Sequence, residues 1–213
     1  SHVLQPNQDG GSGHCRPEKM TLQHVNVKIH VDGELPVDPE RFIGVFHRWI
    51  AEQSMDELLI DVADYRHVSA GPGVVLVGHE ADYAMDHRDD CWGLLYNRKA
   101  SVEGSNADRF AQALRSAARA CQLLEAELQA DGPLTFSRKR FEVVINDRAL
   151  APNTEKSFEA IKPELEDFLS GLLGHSDFTI DRSDDDPRCR LGVTVQLAQP
   201  VDYTQWLTPS HSG

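Results

Sequence analysis

The chain has 213 residues, 40% of them hydrophobic, which is enough to bury a core without disulfide bonds. Its 34 acidic and 21 basic side chains give a formal net charge of −13, which repels nucleic acid backbones and anionic bilayers. No segment approaches the ~20 apolar residues that cross a membrane, and no C-x-x-C pair indicates a zinc ribbon or a thioredoxin-like site. We therefore expect a cytoplasmic protein that binds neither nucleic acid nor membrane.

The composition divides the chain into three parts. Residues 1–20 are polar and contain several glycines, which predicts a disordered N-terminal extension. Residues 21–198 carry the periodic apolar patterns and predict a single α+β domain, with candidate halves at residues 21–132 and 133–198. Residues 199–213 form a predicted C-terminal tail.

The first elements follow from apolar periodicity. Residues 25–31 alternate between apolar and polar side chains, which predicts a half-buried strand. Asp38 and Pro39 are typical of an N-cap and a first helical position, so a helix should begin there and extend its apolar stripe to Ile50. Residues 57–65 predict the second strand.

A hairpin and a long helix follow. Residues 74–85 and 92–99 predict two strands joined as a hairpin. After them, Ser105 and Asp108 have the spacing of a capping box, in which the two residues satisfy each other's backbone N–H groups at a helix start. The apolar residues that recur at helical spacing predict a long helix up to Leu128.

The last third of the chain repeats the opening order of elements. Residues 136–147 predict a strand, residues 153–173 a helix, and residues 177–181 and 191–197 two further strands. Pro163 should kink the helix or split it into two short pieces near Lys162, because proline lacks a backbone donor and clashes with the preceding turn.

About seven strands and three main helices indicate an α+β fold with an antiparallel or mixed sheet. The order strand, helix, strand, strand occurs over residues 25–85 and again over residues 136–197, which suggests a structural pseudo-repeat. The alternative is that an ordinary α+β fold uses this order twice without duplication.

The predicted hairpin concentrates the candidate functional groups. Alternation along its two strands places the rings of Tyr83, Trp92 and Tyr96 on one face. Pairing the aromatic faces of the strands puts His79 opposite Arg98 at the end of that face. An imidazole and a guanidinium should therefore meet beside three rings.

We expect a pocket between this aromatic face and a neighbouring helix, and a binding or regulatory module that takes a small anionic molecule. Arg98 and Arg109 flank the predicted start of the long helix, where free backbone donors and the positive dipole end favour an anion. The candidate ligand-binding residues are His79, Arg98, Tyr83, Tyr96, Trp92 and Arg109. The structural alternative is that Glu103 and Asp108 neutralise these cations locally.

Acidic and imidazole side chains of the same hairpin suggest a metal-dependent hydrolase or lyase as the alternative function. The candidate ligands of a divalent metal are His79, Glu80, Asp82 and His87. A bound cation there would activate water for hydrolysis or elimination. Glu80 and Asp82 project to the same side of their strand, however, and could pair with Lys99 instead.

A third hypothesis is an assembly protein. Trp92, Tyr203 and Trp206 are large aromatic residues that would form a homo-oligomer interface if they were exposed. No G-x-S-x-G, H-E-x-x-H or phosphate-loop glycine pattern indicates a familiar catalytic site. The sequence thus predicts where a function would lie and leaves its kind open among these three.

Overall fold

Eight strands form one antiparallel sheet in the computed structural model, which describes residues 20–69 and 71–207. The strands are β1 (Val25–Val31), β2 (Leu59–Tyr65), β3 (Gly73–Gly78), β4 (Ala81–Asp86), β5 (Gly93–Arg98), β6 (Phe136–Ile145), β7 (Phe178–Arg182) and β8 (Leu191–Leu197). The helices are α1 (Arg41–Glu52), α2 (Asn106–Glu127), α3 (Glu155–Leu173) and α4 (Tyr203–Leu207). Across the sheet the strand order is β2-β3-β4-β5-β1-β6-β8-β7. The predicted α+β class is confirmed.

The helices pack against one face of the sheet. The apolar residues of β1, such as Val27 and Ile29, belong to one hydrophobic core that also holds the buried side chains of all four helices. Val75 and Ala84 project from β3 and β4 to the other face, and although buried they lie outside that core. Within the described part of the chain, the fold therefore has two layers, with α2 over β1 and β5 at its centre.

The start of α2 is built by the predicted capping box. Ser105 Oγ accepts a hydrogen bond from the Asp108 N–H at 3.2 Å, and Asp108 Oδ2 accepts one from the Ser105 N–H at 2.8 Å. One side of the helix is then buried in the core, including Phe110 and Cys121. Complete burial raises the pKa of the Cys121 thiol, as expected of an inert cysteine. The capping prediction is confirmed.

One predicted strand divides into two, which accounts for the eighth strand. The run over residues 74–85 turns back at His79 and Glu80, so that β3 and β4 pair with each other. Gly78 permits this tight turn, because a Cβ at that position would collide with the carbonyl oxygen of Ala81. The predicted hairpin is therefore the pair β4–β5, the last two strands of a four-stranded meander, β2 to β5.

Two helix predictions are also corrected. Helix α1 begins at Arg41 rather than Pro39, since Asp38 Oδ1 accepts from the Glu40 N–H at 2.9 Å and holds a turn before the helix. Helix α3 runs unbroken through Pro163. The proline ring lies on the exposed side, so water can solvate the carbonyl of Glu159 that loses its donor.

The pseudo-repeat stays a prediction. In the second set of elements, β6, β8 and β7 are neighbours in the sheet, whereas β4 and β5 separate β1 from β3 in the first set. The strand pair β4–β5 has no counterpart beside β6.

The chain ends divide between described and undescribed residues. The predicted disorder of residues 1–20 falls, except for Met20, outside the described residues, as do residues 208–213 of the predicted tail. Tyr203 and Trp206 of α4 are buried against their own chain, and Trp206 packs edge-on against Phe141 with centroids 6.0 Å apart. These two rings are thus not available for the homo-oligomer interface that the sequence suggested.

None of the helices in residues 20–69 and 71–207 combines the length and apolar character that crossing a membrane requires.

Candidate functional site

The aromatic side chains of β4 and β5 lie on one face of the sheet, as predicted, but the residues that lie opposite each other differ from the prediction. Tyr83 lies directly opposite Tyr96, and their rings meet edge-on with centroids 5.2 Å apart. Ala81, not His79, is the partner of Arg98. The predicted register is wrong by two residues because the loop between β4 and β5 comprises residues 87–92 rather than 86–91, and an even shift leaves the faces unchanged.

His79 and Arg98 do not form the predicted pair at the end of that face. His79 is exposed in the β3–β4 turn. The Arg98 guanidinium is largely used within the chain: Nε donates to the Ala100 carbonyl oxygen at 2.8 Å, and Nη1 lies 3.7 Å from Glu80 Oε2. Arg98 therefore fastens the end of β5 to the loop that leads to α2.

The two tyrosine hydroxyls are hydrogen-bonded to residues outside the sheet, one before β2 and one on α2. Tyr83 donates to Glu57 Oε1 at 2.5 Å, and Tyr96 accepts from Gln112 Nε2 at 2.6 Å. Burial and the nearby Glu57 carboxylate raise the pKa of Tyr83 above its ordinary value. Tyr83 also lines a cavity of about 420 Å³, called here the Tyr83 cavity, with Arg115 at its edge.

The candidate metal ligands lie at both ends of β4. His79 and Glu80 precede the strand, whereas His87 follows it and stacks on Trp92 with ring centroids 4.5 Å apart. Asp82 Oδ1 lies 2.8 Å from Lys99 Nζ in an ion pair, so the predicted cross-strand pair with Lys99 is confirmed for Asp82. Among residues 20–69 and 71–207, no group of three or more His, Cys, Asp or Glu side chains could hold a metal ion.

A second cavity, of about 430 Å³, lies where the start of α2 meets α3; we call it the α2 cleft. Residues at or near the helix start, including Ser105, Asn106 and Arg109, line one side. Glu164, Asp167 and Phe168 of α3 line the other side, together with Met20 and Thr21 from the segment before β1. Of the six predicted ligand-binding residues, Arg109 lines this cleft and Tyr83 lines the cavity described above.

Arg109 is a buried cation without a carboxylate partner in the described part of the chain. Only 6% of the residue is exposed, and its Nε atom is buried without a hydrogen-bond acceptor. Its Nη1 atom makes a long contact of 3.5 Å to Asn106 Oδ1. A buried charge left unpaired in this way is strongly unfavourable, so the site is electrostatically incomplete.

Asn106 holds the cleft together. Its Oδ1 atom accepts from the Leu22 N–H at 2.9 Å, and its Nδ2 atom donates to the Met20 carbonyl oxygen and, at 2.9 Å, to Glu164 Oε2. One amide thus joins α2, α3 and the segment before β1. The sequence analysis missed Asn106, Glu164 and Asp167. Glu164 and Asp167 do have the i, i+3 spacing of one helix face, which was the only local signal.

The opposite face of the sheet buries a second polar group that the sequence analysis missed. Lys28 Nζ lies 2.8 Å from Asp86 Oδ2 and 3.0 Å from the Cys91 carbonyl oxygen. The Lys28 side chain crosses β5 above Gly93, where a Cβ would lie 2.8 Å from Lys28 Cε. Strand β1 is buried on both faces, which corrects the half-buried strand that alternation predicted.

Next to Lys28, His30 is only 8% exposed and its Nδ1 atom has no hydrogen-bond partner. Burial, together with the positive charges of Lys28 and Arg140, lowers the pKa of His30 to about 4. His30 is therefore neutral at pH 7.

The fold and the cleft define a two-layer α+β protein with a charged cavity at the start of its central helix. No protein-family model, no curated protein and no solved structure matches this chain. The chemistry of the cleft residues is therefore what can point to a function.

Proposed function

We propose that this protein is a binding module that takes a small anionic molecule in the α2 cleft. The observation that carries the proposal is the buried guanidinium of Arg109, which has no carboxylate within ion-pair distance among the described residues. Arginine presents five donors in a planar fork that fits carboxylate and phosphate groups. An anion bound in the cleft would remove the cost of the unpaired charge.

The helix start adds a second attraction for an anion. The N–H groups of the first helical turn lack intrahelical acceptors, and the aligned peptide dipoles place partial positive charge there. The capping box uses the N–H of Asp108, whereas Asn106 and Ala107 precede it in the same turn and line the cleft. The backbone donors of the helix start and the Arg109 side chain therefore belong to residues that line one cavity.

Arg109→Gln tests the proposal by isothermal titration calorimetry with phosphate, acetate and malonate. Glutamine keeps hydrogen-bonding capacity and removes the charge. We expect at least one of these anions to bind the native protein, and Arg109→Gln to weaken that binding by about tenfold or more, as loss of a charged hydrogen bond does.

Arg115→Gln provides the matched control. Arg115 is an exposed arginine of the same helix that lines the Tyr83 cavity and not the α2 cleft. Arg115→Gln changes the net charge by the same amount as Arg109→Gln. A weakening seen only in Arg109→Gln therefore cannot come from the overall electrostatic field of the protein. Equal weakening by both variants, or no binding of any of the three anions or of any other carboxylate-bearing probe, would overturn the proposal.

A further inference from the structure

We infer that the ligand of the α2 cleft is zwitterionic, carrying a cationic group beside its anionic group as a free α-amino acid does. This inference rests on the proposed function. It names the chemical class of the ligand from the two walls of the cleft, which carry opposite charges.

The walls are charged in opposite senses. Arg109 lies on the α2 side, and the carboxylates of Glu164 and Asp167 lie on the α3 side of the same cavity. Residues three apart lie on one helix face, so these carboxylates present a single acidic wall. Neither forms an ion pair with Arg109 within the described residues, and the Asn106 amide, which contacts Arg109 Nη1 at 3.5 Å and Glu164 Oε2 at 2.9 Å, lies between the guanidinium and the nearer carboxylate.

The balance of charge argues against a simple anion as the complete ligand. One guanidinium and two carboxylates line the cleft, so these three side chains sum to −1. A monoanion would gain from Arg109 and would be repelled by the acidic wall, in a partly enclosed site where water screens charge weakly. A zwitterion adds no net charge and satisfies both walls.

One carboxylate already has a fixed orientation. Glu164 Oε2 accepts from Asn106 Nδ2 at 2.9 Å, which leaves Oε1 as an acceptor for a ligand ammonium group. Asp167 is exposed at the rim and would be a second acceptor. A free amino acid places its ammonium and carboxylate groups on one carbon atom, and it would span the gap with the carboxylate toward Arg109.

The remaining lining is apolar enough to hold a side chain. Phe168 lines the cleft and packs against Phe110, with ring centroids 5.8 Å apart. Met20 lines the side that precedes β1. A ligand with an apolar side chain would bury it against these residues, as small-molecule sites commonly do.

The test compares three probes that share the isobutyl side chain by isothermal titration calorimetry: L-leucine, 4-methylpentanoate, which lacks the amino group, and 3-methylbutylamine, which lacks the carboxylate. L-phenylalanine, 3-phenylpropanoate and 2-phenylethylamine repeat the comparison with a ring. We expect one amino acid to bind the native protein about tenfold more tightly than its acid and its amine, which corresponds to one partly buried ion pair.

Glu164→Gln combined with Asp167→Asn should reduce this preference for the amino acid over the acid to about twofold or less, because the ammonium loses its charged partners. Glutamine at position 164 still accepts a hydrogen bond from Asn106, so the contact between α2 and α3 is preserved. Glu166→Gln is a control for the loss of a carboxylate on the same helix, since Glu166 lies on α3 and pairs with Lys162 outside the cleft lining.

The outcomes separate the two proposals. Equal binding of acid and amino acid, or a preference unchanged in the double variant, would overturn the zwitterion and leave anion binding intact. Binding of the amine alone, or of none of the probes and none of the simple anions, would overturn both.

Discussion

Two buried cations of this protein differ in how their charge is compensated. Lys28, whose side chain is 8% exposed, donates to Asp86, and the carbonyl oxygens of Cys91 and Arg88 lie 3.0 and 3.5 Å from Nζ. Arg109 is as deeply buried and has only a long contact to an amide oxygen. A compensated buried cation is part of the architecture, whereas an uncompensated one beside a cavity indicates a missing partner.

The largest predicted effect breaks the compensated site. Lys28→Ala should lower the free energy of unfolding by about 3 to 5 kcal/mol, because Asp86 is then left as a buried carboxylate without its close partner. Arg88 Nε lies 3.3 Å from Asp86 Oδ1, but without hydrogen-bond geometry, and it can compensate only in part. Urea unfolding at pH 7 measures the loss.

The double variant Lys28→Met with Asp86→Leu is the control for that loss. Replacing both charges with apolar groups of similar volume removes the desolvation cost together with the attraction, so its stability should lie closer to the native value than that of Lys28→Ala. A double variant less stable than the single one would contradict the comparison between the two buried cations.

Gly93→Ala tests whether the space left by the missing side chain at position 93 is what lets Lys28 reach Asp86. The added methyl group would meet Lys28 Cε at 2.8 Å and the Ile29 carbonyl oxygen at 2.9 Å. We expect a loss of about 1 to 3 kcal/mol of stability from overpacking. Gly171→Ala on the exposed side of α3 meets nothing within 4 Å and should stabilise the protein by about 0.5 to 1 kcal/mol. Equal effects of the two substitutions in urea unfolding would exclude the steric explanation.

The pH dependence of stability reports on His30, the neighbour of Lys28. Its pKa falls from the ordinary 6.5 to about 4 in the folded protein, so between these values the unfolded chain binds the proton more readily. Stability should therefore be full above pH 6.5 and decline as the pH falls toward 4, by about 2 kcal/mol between pH 7 and pH 5.

His30→Phe removes the titrating group and should reduce this slope. Urea midpoints of the native protein and the variant at pH 7 and pH 5 make the comparison. Parallel changes in both proteins would show that the carboxylates, and not His30, determine the acid sensitivity.

Local patterns predicted the parts of the fold that local chemistry determines. The alternation of β1, the capping box of Ser105 and the shared face of Tyr83 and Tyr96 depend on residues close in sequence, and the structure has all three. The burial of Lys28 depends on which strands neighbour β1, and the isolation of Arg109 depends on α3 packing beside α2. Those contacts join residues far apart in sequence, and periodicity carries no information about them.

The smallest expected effect on stability concerns Arg109, the buried cation without a partner, and it is the most direct test of the difference between Arg109 and Lys28. Arg109→Met removes a buried charge that has no partner to lose, so the free energy of unfolding without ligand should stay the same or rise by about 1 kcal/mol. Lys28→Ala and Arg109→Met each delete one buried cation, and only Lys28→Ala should destabilise the protein. Urea unfolding without ligand, followed by titration with the probe that binds best, separates the two contributions. A loss of several kcal/mol in Arg109→Met would mean that the charge of Arg109 is compensated within the chain. The proposal that the α2 cleft binds a ligand would then lose its main support.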